Sequence, residues 1–133
     1  MRQIRLLLAD DRAEVRTGLR LRLRREADFD IVGEADSSSE ALKLALQMKP
    51  DIVLIEPLMR DQGGVYAIKQ IAAQSPHTGI VVLTTVADTL LRMTLRDLGV
   101  RHVLDKGIES QHLIDVLRKV AHNSDPKPRF CPK

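Results

Sequence analysis

The residues best placed to do chemistry are Asp10, Asp11 and Glu56, because each closes a run dominated by aliphatic side chains. One run is Ile4-Arg5-Leu6-Leu7-Leu8-Ala9, which ends in Asp10 and Asp11; the other is Asp51-Ile52-Val53-Leu54-Ile55, which ends in Glu56. Such runs, rich in Ile, Val and Leu and lacking polar alternation, read as strands buried on both faces of a parallel sheet. The acids then sit at the carboxyl ends of strands, the edge where open α/β sheets bind ligands. Carboxylates converging there repel one another unless a cation neutralises them. The residue types therefore point to a small site for a hard divalent ion.

Strand and helix signals alternate five times along the chain, which predicts a parallel sheet covered by helices on both faces. The first strand covers about Ile4 to Ala9. A helix follows from about Ala13 to Glu26, with Val15, Leu19 and Leu23 at i, i+4, i+8. The second strand covers Asp30 to Ala35. Ser37 with Glu40 three residues on is a capping-box signature for a helix from Glu40 to Met48, closed by Pro50. After the strand that ends at Glu56, Pro57 to Gly63 reads as a loop. Gly64 opens a third helix that turns Val65, Ile68, Ile71 and Ala72 inward and ends at Ser75-Pro76. Gly79 to Thr84 is the fourth strand, and a helix from about Asp88 to Leu98 stops at Gly99 as a left-handed residue. A short strand from Arg101 to Leu104 precedes a helix from Ser110 to His122, with Leu113, Ile114, Leu117 and Val120 toward the sheet. Residues 123–133 hold three of the six prolines and read as a flexible end or truncated linker, which leaves residues 1–122 as the folded domain.

A chain of 133 residues with 44% hydrophobic and 29% charged residues fits one globular domain with an aliphatic core. With aromatics at 2%, there is little from which to build a stacking platform for single-stranded nucleic acid. The net charge of +3 is concentrated in Arg12, Arg16, Arg20, Arg22, Arg24 and Arg25, which read as a solvated helix face. Direct DNA reading by these arginines is the weaker alternative, since they surround most of the helix. The single cysteine, Cys131, excludes an intrachain disulfide and suits the cytoplasm. No run approaches membrane-spanning length. The P-loop and dinucleotide glycine patterns are missing, which counts against a nucleotide-binding or other small-molecule-binding protein of flavodoxin-like fold. His77, His102, His112 and His122 lack metal-ligand spacing and read as surface or packing residues, and Met48, Met59 and Met93 as core filler or loop contacts.

Taken in order, the fragments Ile4 to Asp11, Val15-Arg16-Thr17-Gly18-Leu19, Ile31-Val32-Gly33-Glu34-Ala35, Lys49 to Ile55, Val81-Val82-Leu83-Thr84, Gly99 and Lys106 resemble the receiver domain of bacterial response regulators. The similarity runs over residues 2–122 and is to the NarL/FixJ (LuxR-type) group, in which the receiver precedes a helix-turn-helix output domain. It implies a flavodoxin-like (CheY-like) doubly wound sheet of five parallel strands with five helices. It implies too a signalling module rather than an enzyme, which takes a phosphoryl group from a histidine kinase on an aspartate after the third strand. By motif, Mg²⁺ would be held by Asp10, Asp11, the acceptor carboxylate and the backbone carbonyl of Leu58. Thr84 and Lys106 would contact the phosphoryl oxygens, balancing charge during transfer.

The acceptor position is Glu56, and this departure changes the expectation. One added methylene displaces the carboxylate by up to ~1.5 Å, and a misplacement of ~1 Å can cost on the order of a hundredfold in rate. Glu56 is expected to be a poor acceptor or none, with its carboxylate reaching toward Thr84 or Lys106 and imitating part of a phosphoryl charge. Pro57 fixes φ and removes an N–H directly after it. Arg60 stands where the resemblance places a proline, and Val103 where it often places an aromatic ring. Plainer readings stand beside each assignment: an N-cap or solvated turn for Asp10-Asp11, a structural ion pair with Lys106 for Glu56, a strand-end hydroxyl for Thr84 (followed by Thr85), and an exposed lysine for Lys106. The expected partners are a histidine kinase and a second copy or another protein. The faces would be the fourth helix, fifth strand and fifth helix, or the first and fifth helices. DNA would be reached only through an output domain outside this chain. A conventional receiver with Mg²⁺-dependent phosphorylation of Glu56 is the competing function.

Overall fold

The computed structural model describes residues 2–123. Its elements are β1 (Ile4–Ala9), α1 (Ala13–Leu23), β2 (Phe29–Ala35), α2 (Ser38–Met48), β3 (Ile52–Ile55), α3 (Gly64–Gln74), β4 (Gly79–Thr84), α4 (Thr89–Asp97), β5 (His102–Asp105) and α5 (Ser110–Asn123). The strands form one parallel five-stranded sheet in the order β2-β1-β3-β4-β5. The expected architecture is found. The proline-rich end, with Phe130 and Cys131, lies outside the described residues.

The unbroken apolar runs are explained by two cores, one on each face of the sheet. Leu6, Leu8, Ile52, Leu54, Val81 and Leu83 face α1 and α5, packing with Leu19, Leu23, Leu113 and Leu117. The alternate residues Leu7, Ala9, Val53, Ile55 and Val82 face Ala41, Ala45, Ile68, Ile71 and Leu95 of α2, α3 and α4. Strands buried on both sides have no face to give to polar residues. On α3 the inward set includes Ala67 with Ile68 and Ile71, whereas Val65 and Ala72 are half-buried. Met59 fills core at 2% exposure, but Met93 is 53% exposed and fills none.

Local signals set most of the boundaries. Ser37 caps α2 by accepting the Glu40 N–H at 3.1 Å, and Asp88 caps α4 by accepting that of Leu91 at 2.9 Å. Gly99, with φ +93°, ends α4 in the left-handed region. Several boundaries differ from expectation, α2 for example beginning at Ser38 rather than Glu40. Helix α1 ends at Leu23 rather than near Glu26, because the chain must turn through residues 24–28 to begin β2 at Phe29. Strand β5 is displaced by one residue to His102–Asp105, in register with Val81 to Thr84.

Arg118 of α5 fixes that turn. Its guanidinium bonds Asp28 at 2.8 and 3.0 Å and Glu26 at 2.8 Å, and lies 5.5 Å from the Phe29 ring centroid. The hydrogen bond from Arg118 holds the Asp28 carboxyl below its ordinary value of 3.8, against the opposing effect of burial. A depressed carboxyl stabilises the fold above its unfolded value and loses that contribution as pH falls. With Arg118 36% exposed, Arg118→Ala is expected to cost about 1–2 kcal/mol at pH 7. The cost should shrink below roughly pH 4, measured by urea unfolding at both pH values; an equal cost at both would contradict the ion-pair origin.

Candidate functional site

Strands β1 and β3 are neighbours at the centre of the sheet, and the chain leaves them toward opposite sides, β1 to β2 and β3 to β4. Such a switch point opens a crevice at the carboxyl edge. Ladder bonds set the two acids there: the Asp10 N–H reaches Ala35 O at 3.0 Å and the Glu56 N–H reaches Ala9 O at 2.9 Å. Asp10 is 3% exposed, Glu56 6% and Thr84 1%. Lys106 follows β5 by one residue, tied by its N–H to Thr84 O at 3.2 Å.

The centre of the site is an ammonium between two carboxylates. Lys106 Nζ lies 2.7 Å from Asp10 Oδ2 and 2.8 Å from Glu56 Oε1. The remaining oxygen of each acid takes a main-chain donor: Arg12 N–H to Asp10 Oδ1 and Leu58 N–H to Glu56 Oε2, both at 2.9 Å. Burial works against charge on Lys106, but hydrogen bonds to Asp10 and Glu56 outweigh it and hold the ammonium above the ordinary value of 10.5. The stability that comes from this shift of Lys106 is therefore complete at neutral pH and is lost as pH rises through that raised value.

Of the residues expected from sequence, Asp10, Glu56 and Lys106 meet directly. Glu56 reaches Lys106 rather than Thr84, whose hydroxyl accepts the Val86 N–H at 3.3 Å. Leu58, expected to offer its carbonyl, presents its N–H to Glu56. Asp11 turns to the β3–α3 loop, where its Oδ2 accepts the Arg60 N–H at 2.8 Å. The expected cage of Asp10, Asp11 and Glu56 is consequently not assembled. Among the described residues no group of three or more His, Cys, Asp or Glu side chains is arranged to hold a metal ion. Mg²⁺ keeps several waters and is held by one or two carboxylates, but here Lys106 stands between Asp10 and Glu56 and the Arg60 N–H holds Asp11. The donor set in this arrangement does not fit Mg²⁺.

Several participants lie outside the residues expected from sequence. Arg16 is not part of a free basic face: it donates to Asp10 O at 2.6 Å and, with Arg20, pairs with Glu34 of β2 at 3.3 and 2.6 Å. The i, i+4 spacing of Arg16 and Arg20 shows a shared face, but only the fold shows Glu34 opposite it. The main-chain donors of Arg12, Leu58 and Arg60 carry no residue-type signal at all.

Residues 6–118 match the sequence profile of the response regulator receiver domain, and the chain belongs to that family. Among individual proteins it is similar to the transcriptional regulatory protein LiaR of Bacillus subtilis, 33% identical over 124 residues that make up 93% of this chain and 58% of that protein. Response regulator protein VraR of Staphylococcus saprophyticus is 32% identical over 120 residues, 90% of this chain and 57% of that protein. The response regulator domain of Thermotoga maritima CheB superposes with a TM-score of 0.84 at 25% identity, over 94% of this chain and all of that domain. The chain thus spans a little over half the length of these curated relatives. Among the described residues no helix is long and apolar enough to cross a membrane.

Proposed function

We propose that this chain is a receiver module that relays its signal through protein contacts without accepting a phosphoryl group at position 56. The observation that carries this reading is the 2.8 Å contact between Glu56 Oε1 and Lys106 Nζ, with Asp10 on the other side of the ammonium. In-line attack needs a free carboxylate oxygen facing the donor phosphorus. Both oxygens of Glu56 are engaged, one by Lys106 and one by the Leu58 N–H. The longer side chain brings negative charge to the lysine itself, which is where a phosphoryl oxygen would otherwise place it.

The rest of the reading draws support from the family. Residues 1–122 form the receiver, and the name of LiaR as a transcriptional regulatory protein supports a DNA-binding output domain in the whole protein. The module works in the cytoplasm as a signalling component, not an enzyme. It pairs with a second copy or another protein through α4, β5 and α5, or through α1 and α5, and a histidine kinase is at most a docking partner. A flavodoxin-like small-molecule site gains no support at the acidic edge. Two concavities of about 470 and 530 Å³ lie instead where β1 and β4 begin, lined in part by Ile4 and Asp51 and by Gly79 and His102.

The test is intact mass after incubation with acetyl phosphate and Mg²⁺, on the wild type and on Glu56→Asp. The expected result is one added phosphoryl group on the Asp variant and none on the wild type. A phosphorylated wild type would make this a conventional receiver with an unusual acceptor, and two unmodified proteins would mean that the pocket has lost more than its acceptor.

A further inference from the structure

The β3–α3 loop, residues 56–63, is held to its neighbours by consecutive residues acting in opposite senses. The Arg60 N–H donates to Asp11 Oδ2 at 2.8 Å, in the turn after β1. Asp61 Oδ2 accepts the N–H of Ser38, the first residue of α2, at 2.7 Å. Met59 between loop and core is 2% exposed. The Arg60 side chain adds little, since its Nε is 3.8 Å from Asp11 and the side chain is 88% exposed. The bond to Asp11 is thus made by the backbone, and any residue except proline at position 60 supplies it.

We infer that Arg60 is a positioning residue whose main-chain amide withdraws Asp11 from the site, so that the chain's own Lys106 serves as the resident cation and the domain closes without a divalent ion. Lys106 and two main-chain N–H groups occupy all four oxygens of Asp10 and Glu56. A divalent ion would have to displace the ammonium and would also meet an Asp11 carboxylate that the Arg60 N–H turns toward the loop through its Oδ2. Each opposes binding, and the second depends on an N–H rather than on any side chain. This inference rests on the proposed reading of the site as one closed from within.

The experiment is Mn²⁺ binding followed by electron paramagnetic resonance of the free ion, on the full chain and two variants. Wild type and Arg60→Ala, which keeps the N–H, are expected to bind equally weakly, and Arg60→Pro roughly tenfold or more tightly, the effect of removing one charge-assisted hydrogen bond. A wild type that binds as tightly as Arg60→Pro overturns the inference, as does an Arg60→Ala variant that matches Arg60→Pro. Hydrogen exchange of the Arg60 amide in the wild type gives a second measurement that does not depend on how the loop takes a proline. Protection that is the same in EDTA and in excess Mg²⁺ is expected; exchange at the free-chain rate, or protection lost on adding Mg²⁺, overturns it. A wild type that binds Mn²⁺ yet stays unphosphorylated defeats this inference alone, while one that takes a phosphoryl group defeats the reading beneath it.

Discussion

Lys106→Met is expected to destabilise the domain by about 3–5 kcal/mol at pH 7, the cost of breaking a buried ion pair by removing one partner. The side chains concerned are 15% exposed for Lys106, 5% for Asp10 and 7% for Glu56, so little solvent is at hand to replace the ammonium. Methionine fills much of the same volume, and what remains is two carboxylates facing each other with only the Arg12 and Leu58 N–H groups to share. Adding Glu56→Gln to that variant removes one of the two charges and should restore part of the loss, a coupling that a double-mutant cycle reads directly. The pH dependence has a definite sign. The wild-type advantage should hold from neutral pH upward until it fades above the ordinary lysine value of 10.5, because the folded-state value is raised. Urea midpoints at pH 7 and about pH 11 check both statements. A loss below ~1 kcal/mol at pH 7 would show that the triad behaves as a surface pair.

The second large effect is expected at Gly64→Ala. A Cβ there would lie 1.9 Å from the carbonyl oxygen of Pro57 and 2.5 Å from its carbonyl carbon. Both belong to the backbone, and Pro57 is buried with its φ fixed by the ring, so no flexible side chain can yield. Either α3 starts later or the whole loop after Glu56 shifts. The expected cost is about 3 kcal/mol, at the upper end for overpacking, with loss of protection at the Leu58 and Arg60 amides. Gly18→Ala is the matched control. Gly18 lies within α1 with nothing within 4 Å of a Cβ, so alanine should stabilise by up to about 1 kcal/mol through helix propensity. Thermal melts of the two variants that moved in the same direction would contradict this account.

These residues also show how far the chain can be read without its fold. Strands β1, β3 and β4 were legible because burial on both faces leaves a run dominated by aliphatic residues, α2 because Ser37 with Glu40 is a capping signature, and the end of α4 because Gly99 suits a left-handed residue. The end of α1 was not legible, since Arg24, Arg25 and Glu26 suit a helix as well as a turn and Arg118, which holds that turn, lies far along the chain. In the site, the meeting of Asp10, Glu56 and Lys106 could be anticipated from acids and a lysine at one edge of the sheet. The departure of Asp11 could not, because it depends on a main-chain N–H. Arg16 and Arg20 suit a solvated face in sequence for a different reason: their partner Glu34 is distant along the chain and is brought beside α1 only by the fold.

Lys106 is carried just past the edge strand β5, whereas Glu56 follows the central β3 and Asp10 its neighbour β1, so the contact with Glu56 spans the width of β4 and that with Asp10 the widths of β4 and β3. It works as a clasp between rim and hub. A binder that dragged β5 along by a single residue, ~3.3 Å, would carry the ammonium out of reach of both acids. By reciprocity, anything that prised the acids from the ammonium would slacken the rim for such a binder. The outer edge of the sheet and its central crevice are thus two ends of one short lever.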